Sequence, residues 1–220
     1  MSEATGSSPA TVLSAERLKA FTDAVVAIAM TLLILPLMES VSDLAREGVT
    51  AAEWLNDEST QLLTFALSFV LIANFWMSHH RLFDRVERVT GALVWLTVAW
   101  MFTIVWLPVA TAIVGQMDTD ATQTVLYIGT LLVTSVVLMV TRLYVMRHPE
   151  LHEIESIRLR HGLAADVITA VLFALALATS LLAPAVGYYA MFLLLLTWPL
   201  HRLATNVIDR RTAARQQDAA

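Results

Sequence analysis

The carboxylate of Asp23 lies near the start of the first apolar segment, where an ionised group is unusual and could have a chemical role. Asp23 is preceded by Arg17, Phe21 and Thr22, and residues 24–38 contain no ionised side chain. A carboxylate inside a membrane-spanning helix costs roughly 2.5 kcal/mol or more at the bilayer centre and less near the interface. Such residues usually face a protein interior or a water-filled path. Asp23 is therefore the first candidate for a functional site.

Polar partners for Asp23 occur near the end of the second apolar segment. They are Asn74, Trp76, His79 and His80. If the first helix runs outward and the second returns, both histidines reach the membrane depth of Asp23. Imidazole and indole N–H groups can donate to a carboxylate. The alternative is that these side chains anchor a helix end at the membrane interface. The shared depth favours a network that holds Asp23, with His79 or His80 as its partner.

The composition indicates that these residues lie in a membrane. Hydrophobic residues make up 57% of the 220 positions and charged residues 15%, whereas about a quarter of a soluble domain is charged. Six apolar segments have the ~20 residues that cross a hydrocarbon core: 16–38, 59–83, 91–115, 122–146, 161–183 and 187–204. The sequence predicts an all-α integral membrane protein with six transmembrane helices, the last two of which could also form one long helical hairpin. Residues 39–58 are expected to form an acidic polar loop.

The basic residues predict the orientation. With both termini in the cytoplasm, thirteen of the fourteen Lys and Arg residues lie inside and Arg46 alone lies outside, which is a strong positive-inside asymmetry. We expect a multi-pass protein of the cell membrane. It would have a flexible cytoplasmic N-terminus (1–14), a transmembrane domain (15–206) and a cytoplasmic C-terminal tail (207–220) that frays from Asp209. No signal peptide is evident, so the first segment would act as its own membrane signal.

The first segment has two distinct helical faces. At 100° per residue, one face carries Phe21, Ala24, Ile28, Thr31 and Leu35. Asp23 lies more than a third of a turn away from that face, so it would point into its own bundle if the apolar face lined a path. Arg17 lies six residues before Asp23, so a second helix would have to connect them. Ser14 with Glu16 is a candidate N-cap, and Pro36 should bend the outer end of the helix.

Two other sequence patterns give only weak support for a selectivity filter or a metal site. Val186-Gly187-Tyr188 is similar to part of a carbonyl selectivity filter, but no Thr and no pore helix precede it. His148 and His152 could suggest a metal site, but Pro149 between them fits a first helical position, so they would not share a helix face. We expect no metal, no cofactor, no nucleic-acid partner and no enzymatic activity, since no nucleophile or metal set surrounds Asp23.

The first segment resembles a known family of membrane proteins. Arg17-x-x-x-Phe21-Thr22-Asp23, followed by Ala27-Ile28-Ala29-Met30-Thr31-Leu32-Leu33-Ile34-Leu35-Pro36, is similar to the Arg-x-x-x-Phe-Ser-Asp signature of the transmembrane protein 175 family. These are endosomal and lysosomal potassium channels and their bacterial relatives. The segment Asn74-x-Trp76-x-x-His79-His80 also matches. Thr22 replaces the usual Ser and keeps the hydroxyl group.

The resemblance implies a potassium-permeable channel. It implies a homotetramer whose first helices line a central pore, with a modest preference for potassium over sodium and other monovalent cations. It implies that Ile28 forms the main apolar constriction, Thr31 a polar layer and Leu35 a second apolar ring. It also places Arg17, Phe21, Thr22 and Asp23, with Asn74, Trp76, His79 and His80, in a structural network behind the pore. The residues themselves leave open a proton- or cation-coupled carrier that uses Asp23 and His79 or His80.

Overall fold

The protein is a bundle of α-helices. A computed structural model describes residues 14–46, 48–118, 120–183, 193 and 196–217. The described residues form eight α-helices and no strand: α1 (Ala15–Leu32), α2 (Leu35–Arg46), α3 (Ala51–Asp57), α4 (Ser59–Phe83), α5 (Gly91–Gln116), α6 (Ala121–Arg147), α7 (Ser156–Leu182) and α8 (Thr197–Gln217), with a 3-10 turn at Pro149–Leu151. The predicted all-α class is confirmed.

Five apolar spans are long enough to cross a membrane. They are Ala15–Asp43, which joins α1 to most of α2, and the four helices α4 to α7. Five of the six predicted segments therefore coincide with helices. Eight of the eighteen residues of the sixth, 187–204, and the whole Val186-Gly187-Tyr188 motif lie outside the described residues, while residues 197–204 form the start of α8. The sixth span therefore stays a prediction. The tail that was expected to fray from Asp209 is instead helical as far as Gln217.

The first helix breaks just before Pro36. α1 ends at Leu32, two turn residues follow, and α2 begins at Leu35, which leaves Pro36 in the first turn of the new helix. Proline is tolerated there because the first N–H groups of a helix have no partner within the helix. The bend predicted at the outer end is therefore a two-residue turn between α1 and α2, in which Leu33 keeps a right-handed helical conformation. Ser14 occupies the N-cap position of α1, but its side chain makes no capping hydrogen bond, contrary to expectation.

The acidic segment 39–58 is largely helical, which corrects the expected loop. α2 continues to Arg46, and α3 begins after Thr50. The Thr50 side chain accepts from the Glu53 N–H, and the Glu53 carboxylate accepts from the Thr50 N–H at 2.8 Å and from its hydroxyl. This capping box satisfies free N–H groups of the helix start. The same hydrogen bonds hold the pKa of Glu53 below its ordinary value.

The core lies between α5 and its neighbours. α5 packs against α1, α4 and α6, while α7 packs against α6 and α8. Trp100, Ile104, Tyr127, Leu131 and Phe173 are among the fully or nearly fully buried side chains. The outward faces are also apolar: Leu63, Trp95 and Phe102 are 70% exposed or more. Large apolar residues on every side are typical of a bundle surrounded by lipid.

Two connectors meet at one end of the bundle. The α4–α5 connector and the α6–α7 connector form an isolated antiparallel bridge at Val86 and His152. The Glu87 N–H also donates to the Leu151 carbonyl at 3.0 Å. Because both connectors lie at this end, α4 and α6 run toward it and α5 and α7 run away from it.

The start of α1 and part of α8 lie at the same end. The Lys19 ammonium donates to the Asp84 carbonyl at 3.2 Å, and the His161 ring is 2.9 Å from the Asp209 carboxylate. We call this the basic end, because many basic residues lie in or next to these segments: Arg17, Lys19, Arg81, Arg85, Arg88, Arg147, Arg158, Arg160 and Arg210. The positive charge that the sequence assigns to one side of the membrane is thus gathered at one end.

Candidate functional site

Asp23 makes the polar contact between α1 and α4. The Trp76 indole N–H donates to Asp23 Oδ1 at 2.8 Å, and His80 Nδ1 lies 4.0 Å from the same oxygen. The Trp76 and His80 rings lie against each other with centroids 5.4 Å apart. Asp23 and His80 keep 44% and 50% of their side-chain surfaces exposed within one chain. The three residues form a half-open polar cluster, called the Asp23 cluster below.

The apolar face of α1 is uncovered by its own bundle. Ile28 is 60% exposed, Phe21 57% and Leu35 50%, and Ala24 and Thr31 are exposed as well. The opposite face, which contains Leu18, Val26 and Ala29, is at most 2% exposed. The residues predicted to share one face therefore do so, with Leu35 lying just beyond the helix break. Within a single chain, the bundle covers the Leu18, Val26 and Ala29 face of α1, and the Ile28 face remains free to contact something outside the chain.

The other residues predicted for the network are spread over several environments. Thr22 is buried, and its hydroxyl donates to the Leu18 carbonyl at 2.8 Å within α1. Arg17 and Asn74 are exposed, and the described part of the chain offers Arg17 no hydrogen bond or ion pair. Within one chain, the structure therefore brings Asp23, Trp76 and His80 together and leaves Arg17, Phe21 and Asn74 outside the cluster.

His79 does not face Asp23, which resolves the choice between the two histidines. It is 3% exposed and lies between the Phe83 and Trp100 rings, each with a centroid separation of 4.3 Å. Its Nε2 has no hydrogen-bond partner among the described residues. His79 therefore packs α4 against α5, while His80, one residue later, turns toward α1.

An ion pair that the sequence analysis missed connects α6 to α7. Arg142 Nε donates to Asp166 Oδ2 at 2.5 Å, and the two side chains are 8% and 6% exposed. Gly162 lies against the guanidinium, and a Cβ atom at that position would overlap it. The sequence did contain an indication of this ion pair. Asp166 is a carboxylate inside an apolar segment and meets the same criterion that singled out Asp23.

The two histidines near Pro149 are used locally. His148 lies before the 3-10 turn and His152 after it. His148 Nδ1 lies 2.8 Å from the Tyr144 carbonyl, and the Ile154 N–H donates to His152 Nδ1 at 2.9 Å. Across the described ranges, no group of three or more His, Cys, Asp or Glu side chains is arranged to hold a metal ion.

The fold and the Asp23 cluster define a multi-pass α-helical membrane protein with an intramembrane polar contact. The family model described as endosomal/lysosomal potassium channel TMEM175 matches residues 17–108, which contain the whole cluster. Residues 17–108 of the chain therefore match the transmembrane protein 175 family, and the resemblance predicted from the sequence is confirmed over this segment.

Two relatives and one solved structure are similar to this chain. A potassium channel of a Chryseobacterium species is 27% identical over 83% of this chain and 91% of its own length. The endosomal/lysosomal proton channel TMEM175 of Danio rerio is 26% identical over 62% of this chain, which spans only 26% of that protein. The crystal structure of a lysosomal potassium-selective channel TMEM175 homologue from Chamaesiphon minutus matches with a TM-score of 0.63 and 20% identity, over 90% of this chain and 97% of the other. That structure supports the fold.

Proposed function

We propose that the chain forms a homotetrameric, potassium-permeable cation channel that prefers potassium to sodium only modestly. The uncovered face of α1 carries this proposal. An apolar helix face that its own subunit leaves open can line a path when four copies surround an axis, with the bundle behind each copy held against lipid. The family match over residues 17–108 and the relatives named as channels support the same assignment.

The order of side chains along that face suggests how ions would be selected. Ile28 would form the main apolar constriction and Leu35 a second ring beyond the helix break. The Thr31 hydroxyl donates to the Ile28 carbonyl at 2.7 Å. Because the donor is used within the helix, the lone pairs of the oxygen remain free to accept, as a polar layer facing a cation requires. An apolar neck selects by the cost of removing water rather than by carbonyl coordination.

The Asp23 cluster would support the pore helix rather than coordinate ions. Asp23 lies off the Ile28 face and accepts a hydrogen bond from Trp76 of α4. His80 Nδ1 lies 4.0 Å from the same oxygen, which is too far for a hydrogen bond but adds a second polar neighbour. This arrangement ties the pore helix to the bundle near the basic end. Arg17 would join the cluster only through a neighbouring subunit.

The orientation is also part of the proposal. With the basic end in the cytoplasm, the chain obeys the positive-inside rule, and both termini lie inside the cell. The acidic helices α2 and α3 would then lie on the outer side, where negative charge concentrates cations.

Ion flux through purified protein in liposomes tests the channel. We expect single-channel currents and a bi-ionic reversal potential that favours potassium over sodium. Ile28→Asn should raise the current several-fold and bring the reversal potential closer to zero, because a polar ring keeps water in the neck. Leu63→Asn is the matched control, since Leu63 is 71% exposed but lies on α4, away from the proposed path.

Two outcomes would contradict this version of the function. An Ile28→Asn protein that assembles and conducts like the original would remove this face of α1 from the path. An equal change in Leu63→Asn would mean that a polar residue anywhere on the bundle surface perturbs the currents.

A proton- or cation-coupled carrier is the second candidate. The observation in its favour is the half-exposed Asp23–His80 pair at 4.0 Å, which places two titratable groups next to each other between α1 and α4. The Danio rerio relative is named a proton channel, so protons belong among the ions tested. Slow, saturable uptake coupled to a pH gradient, without single-channel events, would favour the carrier.

A further inference from the structure

A cavity at the basic end shares one residue, His80, with the Asp23 cluster and contains no residue of the proposed pore face of α1. It has a volume of about 510 Å³ and lies between α4, α6, α7 and α8. Small-molecule sites typically measure roughly 300–1,000 Å³. We call it the basic cavity. It extends beyond the segment matched by the family model, because α6, α7 and α8 follow residue 108.

Positive charge dominates the lining of the basic cavity. Arg81, Arg85 and Arg158 line it and are exposed. The Arg81 guanidinium donates to the uncharged sulfur of Met77, and Arg158 has only a weak, exposed contact with Glu155 at 4.0 Å. These arginines are therefore available to a ligand.

The acidic groups of the lining compensate little of that charge. Asp166 is neutralised by its buried pair with Arg142, which leaves Asp84 as the other carboxylate that lines the cavity. Three guanidinium groups thus face one free carboxylate. Arginine forks match the oxygens of a phosphate group in geometry as well as in charge.

A buried, unsatisfied nitrogen gives a second, independent indication of a ligand. His201 of α8 lines the cavity, and its Nδ1 is shut off from solvent with no hydrogen-bond partner among the described residues. A buried polar atom without a partner costs free energy, so such atoms are usually satisfied by protein, water or ligand. Because Nδ1 is closed to solvent, the His201 ring would turn toward the cavity, where a phosphate oxygen would supply the missing partner.

We propose that the basic cavity binds a phosphate group, carried either by the headgroup of an anionic lipid or by a small soluble molecule. The position favours both sources. The cavity lies at the end of the spanning helices, where basic pockets between helices meet lipid headgroups. It is also open to the aqueous side through the exposed arginines. The binding does not depend on which ion the protein conducts.

Two double variants with the same charge change test the site. Arg85→Gln with Arg158→Gln removes two guanidinium groups from the cavity. Arg88→Gln with Arg160→Gln removes two exposed arginines from the same connector and the same helix, outside the cavity lining. All four positions are exposed, so both variants should fold, which thermal unfolding without phosphate will check.

In the lipid arm, the full chain is placed in nanodiscs of phosphatidylcholine with phosphatidic acid. Native mass spectrometry then counts the lipids that stay bound after extraction. The soluble arm measures the rise in Tm caused by inorganic phosphate. We expect binding in at least one arm, weakened about tenfold for each cavity arginine removed and almost unchanged in the control pair.

The arm that responds identifies the source of the phosphate. A response in the lipid arm alone assigns the cavity to headgroups, and a response in the soluble arm alone assigns it to soluble phosphates. No binding in either arm, or an equal loss in the control pair, would overturn the proposal, since bulk positive charge would then explain the result.

Discussion

The hydrogen bond from the Trp76 indole to Asp23 limits the roles that Asp23 can have. Because Trp76 donates to Asp23 Oδ1 at 2.8 Å and His80 Nδ1 lies 4.0 Å from the same oxygen, that oxygen is already engaged on the α4 side. A permeating cation would have to compete with the Trp76 N–H for that oxygen. The residue-scale expectation is that Asp23 contributes to stability rather than to ion coordination.

Removal of the donor from Trp76 tests this expectation. Trp76→Phe keeps an aromatic ring and deletes the N–H, so it should cost about 1 kcal/mol, less than a fully buried bond to a charge because Asp23 is half exposed. For a chain of this size, that lowers Tm by about 2–4 °C. Asp23→Asn should also lower Tm or the yield of assembled protein. The double variant should cost less than the sum of the two. Thermal unfolding in detergent measures all three.

Trp95→Phe is the control, because Trp95 is 73% exposed and lies on an outer surface of α5. Additive losses from Asp23→Asn and Trp76→Phe would show that the two side chains act separately. A stable Asp23→Asn assembly with altered ion preference would assign Asp23 to the ion path instead.

At the scale of the elements, the buried Arg142–Asp166 pair fixes α6 against α7. Removal of one partner leaves the other charge buried and unpaired, which commonly costs about 3–5 kcal/mol. We expect Asp166→Asn and Arg142→Gln to destabilise strongly in thermal unfolding. Arg142→Met combined with Asp166→Leu should recover most of the loss, because apolar side chains of similar size can replace a buried pair. Arg147→Gln, on the exposed end of α6, should change little.

Gly162 gives an independent check on the same contact. Gly162→Ala should destabilise the original protein, since its Cβ would meet the Arg142 guanidinium. The loss should shrink when Arg142 is already Met. An Asp166→Asn protein as stable as the original would mean that the pair contributes no net stability.

At the scale of the whole molecule, the absence of cysteine allows a direct test of orientation. Glu150→Cys lies at the basic end and Asp118→Cys lies after α5, at the other end; both side chains are exposed carboxylates in the original chain. We expect a membrane-impermeant maleimide added to intact cells to label the second variant and not the first. Permeabilised cells should label both. Labelling of Glu150→Cys in intact cells would reverse the proposed orientation.

The sequence predicted the helices better than it predicted their contacts. Five apolar segments became spanning helices because length and hydrophobicity alone determine them. The Asp23–Trp76 contact could be anticipated from shared membrane depth. The choice between His79 and His80 could not, because it depends on Trp100 of α5, which occupies the space beside His79.

Two structural features could have been predicted from the sequence but were not. Thr50 followed three residues later by Glu53 is a capping-box pattern, and it begins α3 inside a segment predicted to be a loop. Asp166 met the same criterion as Asp23. The basic cavity could not be predicted, since it needs α8 to bring His201 against α7, and no periodicity in either helix encodes that contact.

Trp76 also makes the joint between α1 and α4 observable by spectroscopy. Its indole N–H points at a carboxylate of another helix, so a fluorine label on that ring would have a chemical shift set by the separation of the two helices. The chain contains six tryptophans, and Trp76→Phe would identify the resonance by its disappearance. Fluorine spectra recorded with and without a potassium gradient would then show whether the separation of α1 and α4 changes during ion flux.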